Sequence, residues 1–287
     1  MAYESTIVAD MIEAAARRNE SDKRCYLGMS VIGVQCWRKL WYNFRGFTAK
    51  RIDGRAQMIF DFGNLIEESV LKWIKDAGYL ITDQQREFTD YNGWFKGHCD
   101  GYIHGLSEIP SPWILEIKSA SDSRFKAIKS IQNLKESVPV YWAQVQCYMH
   151  YAELNTALVI VVNKNNCELY TEEVREWPAE CDRLLDKAQQ IIYSDIEFER
   201  DITTECDYCE YKDLCGTNTT GTTQLTKNCG TCKFLKVERK KFMCDKVERQ
   251  INHIDRFCDG WTYKFADCKD VRETKDSRFV DIDKVPF

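Results

Sequence analysis

The chain has 287 residues, 44% of them hydrophobic and 30% charged, with a net charge of −5. This composition excludes global disorder, and no apolar run approaches the roughly 18 residues that cross a bilayer, so no membrane partner is expected. A coat of basic residues is excluded too, although a basic face can coexist with an acidic site.

The segment 1–5 carries an early acid and leads into no hydrophobic stretch, so it does not read as a signal peptide. Ser5 to Arg18 predicts a short amphipathic helix with Ile7, Met11 and Ala15 on one side. A second helix is expected from Ser30 through Trp41 to the basic stretch Arg45–Arg55. A third is expected over Ala56–Ala77, where Ile59, Phe62, Ile66, Val70 and Trp73 recur at helical steps before Gly78. Tyr79–Thr89, Trp94–His104 and Pro112–Ser119 then read as strands, followed by helices near Ser121–Lys135 and Pro139–Leu154. Thr156–Asn163 has the continuous apolar run of a buried strand, Cys167–Val174 alternates like an edge strand, and Pro178 opens a helix to about Tyr193. This order predicts an α/β domain with a mixed central sheet flanked by helices. Beyond Glu199 the texture changes, and a Gly/Thr-rich stretch predicts a linker over 216–226. A first domain of 1–215 and a small cysteine-rich module of 227–287 follow from that boundary.

Asp100, Glu116 and Lys118 are the most informative residues. On a strand, Glu116 and Lys118 project from the same face, and Asp100 on the preceding strand reaches them if the two strands pair. Buried charges cost several kcal/mol each unless paired or metal-bound. Glu67 follows Gly63 by one helical turn, where a glycine would permit close approach to the sheet. Three carboxylates from different elements suit a hard divalent cation, with Glu68 as the competing ligand.

Gly-x3-Glu on a helix, Gly-x2-Asp, and then Glu-x-Lys on the next strand together resemble the PD-(D/E)XK nuclease superfamily. Gln144 and Tyr148 resemble the Gln-x3-Tyr motif of its RecB-like branch. The resemblance spans about residues 30–215 and implies a restriction-endonuclease-like core. It also implies Glu67, Asp100, Glu116 and the Ile117 carbonyl as ligands of Mg²⁺ or Mn²⁺, Lys118 as catalytic, and Gln144 and Tyr148 as holding DNA and ordering the site. RecB-like enzymes commonly carry histidine where Glu67 stands, and an all-oxygen set is harder.

Fourteen cysteines without a secretory signal point to metal or metal–sulfur ligation in a reducing, cytoplasmic compartment rather than to disulfides. Cys206, Cys209 and Cys215 form a C-x2-C-x5-C pattern lacking a fourth ligand, for which Cys36 is the candidate. Together with the stretch Cys36–Tyr42 the pattern resembles the iron–sulfur nucleases of the CRISPR-associated RecB-like family, which implies one structural [4Fe-4S] cluster on these four. Zinc suits a tetrahedron of sulfurs as well. Cys229, Cys232, Cys244 and Cys258 read as a second set, a small zinc-stabilised module in which Cys268 or His253 is an alternative ligand.

Arg38, Lys39, Arg45, Lys50, Arg51 and Arg55 place six basic residues in an 18-residue stretch with one acid, Asp53. Trp37, Trp41, Tyr42, Phe44 and Phe47 interleave with them. Such a stretch suits single-stranded DNA; the alternative is aromatics in the core and charges on a solvated helix face, and core packing is the expectation for the tryptophans. Lys233, Lys236, Arg239, Lys240 and Lys241 form a second basic strip. The expectation is a metal-dependent deoxyribonuclease, an exonuclease on single-stranded ends. It would work beside phage replication, recombination or CRISPR-adaptation proteins. The alternatives are a non-catalytic DNA- or protein-binding subunit on the same fold and a redox protein.

Overall fold

The computed structural model describes residues 3–18, 26–47, 53–106, 111–201, 206–207, 209–212, 214–215, 228–254 and 258. Lys50, Arg51, Cys25, Cys268 and the expected linker 216–226 lie outside the described residues.

In chain order, helix α1 (Tyr3–Arg18) is followed by the two-residue strand β1 (Leu27–Gly28) and a 3-10 turn at Met29–Val31. Helix α2 (Trp37–Arg45) starts at the Cys36 thiol, which accepts from the Lys39 amide, and stops at Gly46 with φ 71°. Helix α3 (Gly54–Asp76) is capped by the Asp53 carboxylate, which accepts from the Arg55 amide at 3.2 Å. Strands β2 (Ile81–Thr82), β3 (Arg86–Asp90), β4 (Phe95–Cys99), β5 (Gly101–Ile103) and β6 (Trp113–Ala120) come next. Then follow α4 (Asp122–Ile131), α5 (Leu134–Ser137) and α6 (Pro139–Ala152), which begins on a proline. Strands β7 (Thr156–Asn163) and β8 (Leu169–Arg175) precede α7 (Pro178–Tyr193), and β9 (Leu235–Glu238), β10 (Lys241–Cys244) and β11 (Arg249–Gln250) close the described chain.

Two compact units result. The first comprises Met1–Glu20, Gly28–Val34 and Asp53–Ala188. Its centre is a five-stranded sheet in the order β2-β5-β6-β7-β8, in which β6 and β7 run parallel and the other neighbours antiparallel. The architecture is therefore mixed α/β, as expected. On one face of β6, Leu115 and Ile117 join Ile160, Val162, Ile103 and Ile81, with Val70 and Leu71 of α3 packed against them. Contiguous burial of such side chains is the main stabilising term of this unit. Edge strand β8 and buried strand β7 match their sequence patterns.

Four local expectations are corrected. The strand expected over Trp94–His104 is two strands broken at Asp100: β4 pairs with β3, whereas β5 joins the central sheet. The helix expected from Ser30 begins only at Trp37. Gly33 instead packs on α6, and a Cβ there would meet the Val140 Cα at 2.6 Å. Of the apolar stripe Ile7, Met11 and Ala15 expected on α1, only Ala15 is buried, together with Ala16, while Ile7 and Met11 are 62% and 55% exposed. Gly63 is not a close approach, because a Cβ would meet only the Ser119 Oγ, at 3.6 Å.

The second unit comprises Ser21–Leu27, Gln35–Ile52 and Gln189–Phe287. Its core is aromatic: Trp41 stacks on Phe47 at 5.4 Å, Tyr42 lies 5.1 Å from Phe47 and 5.4 Å from Tyr211, and Phe44 lies 6.1 Å from Phe242. Strands β9, β10 and β11 form an antiparallel sheet in the order β11-β10-β9. The Cys229–Thr231 turn beside it is held by the Asn228 side chain, which accepts from the Thr231 amide at 2.9 Å and donates to the Gly46 carbonyl at 3.0 Å. No helix among the described residues is long and apolar enough to cross a membrane.

Gly97 lies where a Cβ would meet Tyr148 Cε1 at 2.6 Å and Met29 Cβ at 2.8 Å. Gly97→Ala is therefore expected to cost roughly 1–3 kcal/mol through overpacking. Gly63→Ala is expected to be neutral or to stabilise by up to about 1 kcal/mol through helix propensity. Thermal melts of the two variants check this, and equal effects would contradict it.

Candidate active site

The break between β4 and β5 creates the site. Strand β5 pairs Gly101 with Leu115 of β6, so the preceding residue, Asp100, stands at the level of Glu116 and Ile117. Its Oδ2 accepts from the Ile117 amide at 2.6 Å, completing the ladder where the main chain of β5 has stopped. Gly101 makes this possible, because a Cβ there would meet Ile81 Cγ2 at 2.8 Å.

Glu116 points to the opposite face of β6 from Leu115 and Ile117, and is 1% exposed. Its Oε1 accepts from Lys118 Nζ at 2.5 Å and from Gln144 Nε2 at 2.8 Å. Its Oε2 is sealed from solvent and has no hydrogen-bond partner. Gln144 Nε2 also donates to the Tyr148 hydroxyl at 2.9 Å, one turn along α6. The Tyr148 ring stacks on Phe88 at 5.4 Å and lies over Gly97. Gln144 and Tyr148 are thus buried and fix the carboxylate from above. Lys118, with its side chain 21% exposed, places its ammonium 5.4 Å from the Tyr141 ring.

Glu67 comes from α3 and is half-buried. It shares a hydrogen bond with Asp100, and its Oε1 accepts from Gln85 Nε2 at 2.8 Å. Glu68, the competing ligand, is exposed. Glu67, Asp100, Glu116, Lys118, Gln144 and Tyr148 all lie in the first unit and form one connected network.

Electrostatics at this network are costly. Burial, and then the neighbouring charge of Asp100, lifts Glu67 from 4.5 to about 7. Burial lifts Glu116 to about 8 despite Lys118, and also raises Asp100. Burial pulls the Lys118 ammonium down, but Glu116 and Asp100 outweigh it and hold it above its usual value. Three carboxyl groups therefore share one ammonium, and burial makes all three hold protons to higher pH than exposed acids do. A hard divalent cation is the charge this oxygen set lacks, and the unpartnered Glu116 Oε2 is a lone pair ready for it. The residues fit Mg²⁺ or Mn²⁺ on that ground. As the side chains stand, no three His, Cys, Asp or Glu among the described residues are gathered into a finished metal cage.

The same statement covers the thiols. Cys36 lies close enough to Cys209 to act on its charge, and Cys215 Sγ accepts from Arg38 Nη1 at 3.6 Å, so three of the four expected cluster ligands lie around the start of α2. Cys206 Sγ donates to the Asp201 carbonyl at 3.6 Å. In the second set, Cys232 follows Cys229 within one turn, and Cys244 pairs across the sheet with Leu235.

The basic stretch is corrected in part. Arg45 is 1% exposed, donates to the Ser194 carbonyl at 2.6 Å and lies over Trp41 and Phe242 at 5.6 and 5.2 Å, so it reaches no phosphate. Arg38 is bound to the Phe198 carbonyl at 2.6 Å and to Glu197 at 3.2 Å. Lys39 is half-buried and Arg55 exposed. Trp41, Tyr42, Phe44 and Phe47 are core rather than a stacking platform, because their rings fill the space between α2 and its own unit.

Three members of the site escaped the sequence. Tyr141 stands one turn before Gln144 on α6, a spacing that points it at the same face. Phe88 is visible only through the β3–β4 register opposite Gly97. Gln85 sits in a turn with φ 56° and carries no periodic signal.

No protein-family model matches the chain, and neither does any curated protein. Among solved structures it is similar to SSO0001, at 13% identity and a TM-score of 0.46, over 74% of this chain and 96% of that one. It is also similar to an alkaline exonuclease from Laribacter hongkongensis, at 13% identity and a TM-score of 0.43, over 62% of this chain and 90% of that one. A phage-related exonuclease from Haemophilus somnus 129PT matches at 16% identity and a TM-score of 0.40, over 54% of this chain and 77% of that one. At this depth of similarity, activity has to be read from the side chains.

A carboxyl held above its unfolded value stabilises the fold fully at low pH and loses that contribution as pH rises, here from 4.5 through about 7. Glutamine has the shape of the protonated acid. In chelator, Glu67→Gln is expected to melt with wild type near pH 5 and above it at pH 8. The gain is on the order of 0.5–1 kcal/mol after screening at this half-exposed position. Equal melting temperatures at pH 8 would contradict the shared-proton picture.

Proposed function

We propose that the chain is a divalent-metal-dependent nuclease that hydrolyses the phosphodiester bonds of DNA. The observation that carries this reading is the sealed Glu116 carboxylate, with one oxygen unpartnered, beside Asp100 and the Lys118 ammonium. Glu67, Asp100 and Glu116, with the Ile117 carbonyl, would hold Mg²⁺ or Mn²⁺. Such an ion lowers the pKa of a bound water and offsets charge on a phosphate.

The chain's own side chains do the remaining work. Lys118, anchored by Glu116, offers its protons to the phosphate oxygen on which negative charge builds during in-line attack. Gln144 fixes the Glu116 rotamer, and Tyr148, clamped between Phe88 and Gly97, fixes Gln144. The products are a 5′-phosphate and a 3′-hydroxyl. The resemblance to RecB-like enzymes extends the proposal to an exonuclease on single-stranded ends.

On the same reading, Cys36, Cys206, Cys209 and Cys215 hold a [4Fe-4S] cluster, supported by the grouping at the start of α2. Cys229, Cys232, Cys244 and Cys258 hold zinc, supported by the turn and the hairpin that bring Cys244 back beside the Cys229–Cys232 segment. Both groups would be structural, because phosphodiester hydrolysis transfers no electrons.

Labelled single- and double-stranded DNA incubated with Mg²⁺ or Mn²⁺ tests the reading. Wild type is expected to cleave, and Glu116→Gln and Lys118→Met to lose about 10²- to 10³-fold, the usual effect of removing one transition-state contact. Cleavage surviving in Glu116→Gln would remove the site assignment. Binding without cleavage by wild type would make the chain a DNA-binding subunit.

A further inference from the structure

The small sheet of the second unit has two faces of opposite character. Register pairs Lys241 with Glu238, and Met243 with both Lys236 and Gln250. Side chains alternate along a strand, so Lys236, Glu238, Lys241, Met243 and Gln250 share one face, while Leu235 and Phe242 are buried on the other. On the open face, Glu238, Arg239, Lys241, Met243 and Gln250 line a shallow depression.

Charge separates this region from the rest of the chain. Lys233 to Arg249 carries seven basic side chains against three acidic ones, in a protein whose net charge is −5. Some of that charge is already engaged: Lys236 pairs with Asp245, and Lys240 donates to the Gln189 Oε1 at 2.8 Å. Arg239 and Lys241 stand at the mouth of the depression and are exposed.

The turn points the same way. Strands β9 and β10 are joined by Arg239 and Lys240 alone, with φ of 48° and 60°. Asn-Gly makes such a two-residue turn without strain. Each side-chain-bearing residue held left-handed costs roughly 1–2 kcal/mol. A turn that keeps two long cationic side chains at that cost is a candidate functional feature.

We infer that the open face of β9–β10–β11 is a second nucleic-acid contact that grips a single strand of DNA. Arg239 and Lys241 bind phosphates, the Met243 thioether lies under a base, and Gln250, whose Nε2 donates to Asn252 Oδ1 at 3.0 Å, offers its Oε1 to a base edge. The inference takes its substrate class from the proposed nuclease function and requires no particular placement of the two units.

Fluorescence anisotropy with a labelled single-stranded oligonucleotide, on the full chain in chelator and across a salt series, tests it. Arg239→Ala/Lys241→Ala is expected to bind about tenfold more weakly at low salt. Its slope of log affinity against log salt is expected to flatten by about 1.4, the value for two lost phosphate contacts on a single strand. Arg239→Asn/Lys240→Gly relieves the turn, so it is expected to melt higher yet bind DNA several-fold more weakly. A purely structural hairpin would instead leave its binding intact. Unchanged affinity and salt slope in the first variant, or a loss seen with polyglutamate and not with DNA, would overturn the inference. Wild type that binds DNA, with the loss in the variants, but does not cleave it would leave this contact standing while removing the nuclease reading.

Discussion

Glu116 is almost wholly enclosed, yet one of its oxygens has nothing to accept from, and much of the first unit is arranged around that cost. A buried carboxylate loses several kcal/mol of hydration. One ammonium and one glutamine amide offset part of the charge that three acids bring. The remaining imbalance keeps Glu67, Asp100 and Glu116 protonated at pH values where exposed acids have long since ionised. Stability and use are opposed here: the fold would be more comfortable with amides, but amides would not attract a divalent ion.

The scaffold explains how such a cluster is tolerated. Strand β6 lies between β5 and β7 in the sheet, paired with β7 over Ile114–Ala120 and with β5 over Trp113–Leu115. The Asp100 carboxylate takes the Ile117 amide, just beyond the end of the β5 pairing. Two glycines without room for a Cβ, Gly97 and Gly101, bring the β3–β4 hairpin and the β5 strand close enough for Tyr148 and Asp100 to reach their places. Gln144, a turn before Tyr148, then inherits a fixed position from an aromatic anchor rather than from a flexible stem. Apart from Asp100 at the β4–β5 break, the candidate site is carried by strand β6 and helices α3 and α6, where side chains are held more tightly than on loops.

Much of this was legible in the sequence. Alternation along 113–118 put Glu116 and Lys118 on one face, and the four-residue step put Gln144 beside Tyr148; both relations depend only on local periodicity. The sequence locates Asp100 but not the break that positions it: Asp100-Gly101 is a turn dipeptide, and only tertiary pairing shows that it sends β4 and β5 into different sheets. The aromatic and basic run from Arg38 to Phe47 misled for a related reason. Composition cannot distinguish a ring that stacks on a base from one that stacks on Phe47, and Arg45 was counted as a surface cation although burial draws its pKa down to about 10. The exposed Ile7 and Met11 show the same limit, since a helical stripe identifies a face without saying that anything covers it.

On the proposed reading, the oxygen atoms around Glu116 are a cation site kept partly filled by protons. Calorimetric titration of Mn²⁺ into the chain, in two buffers of different ionisation enthalpy, tests it most directly. One ion per chain is expected at this site, bound with release of protons, more tightly as pH rises through about 7, and absent from Glu116→Gln. Manganese binding that is independent of pH, releases no protons and survives in Glu116→Gln would contradict it.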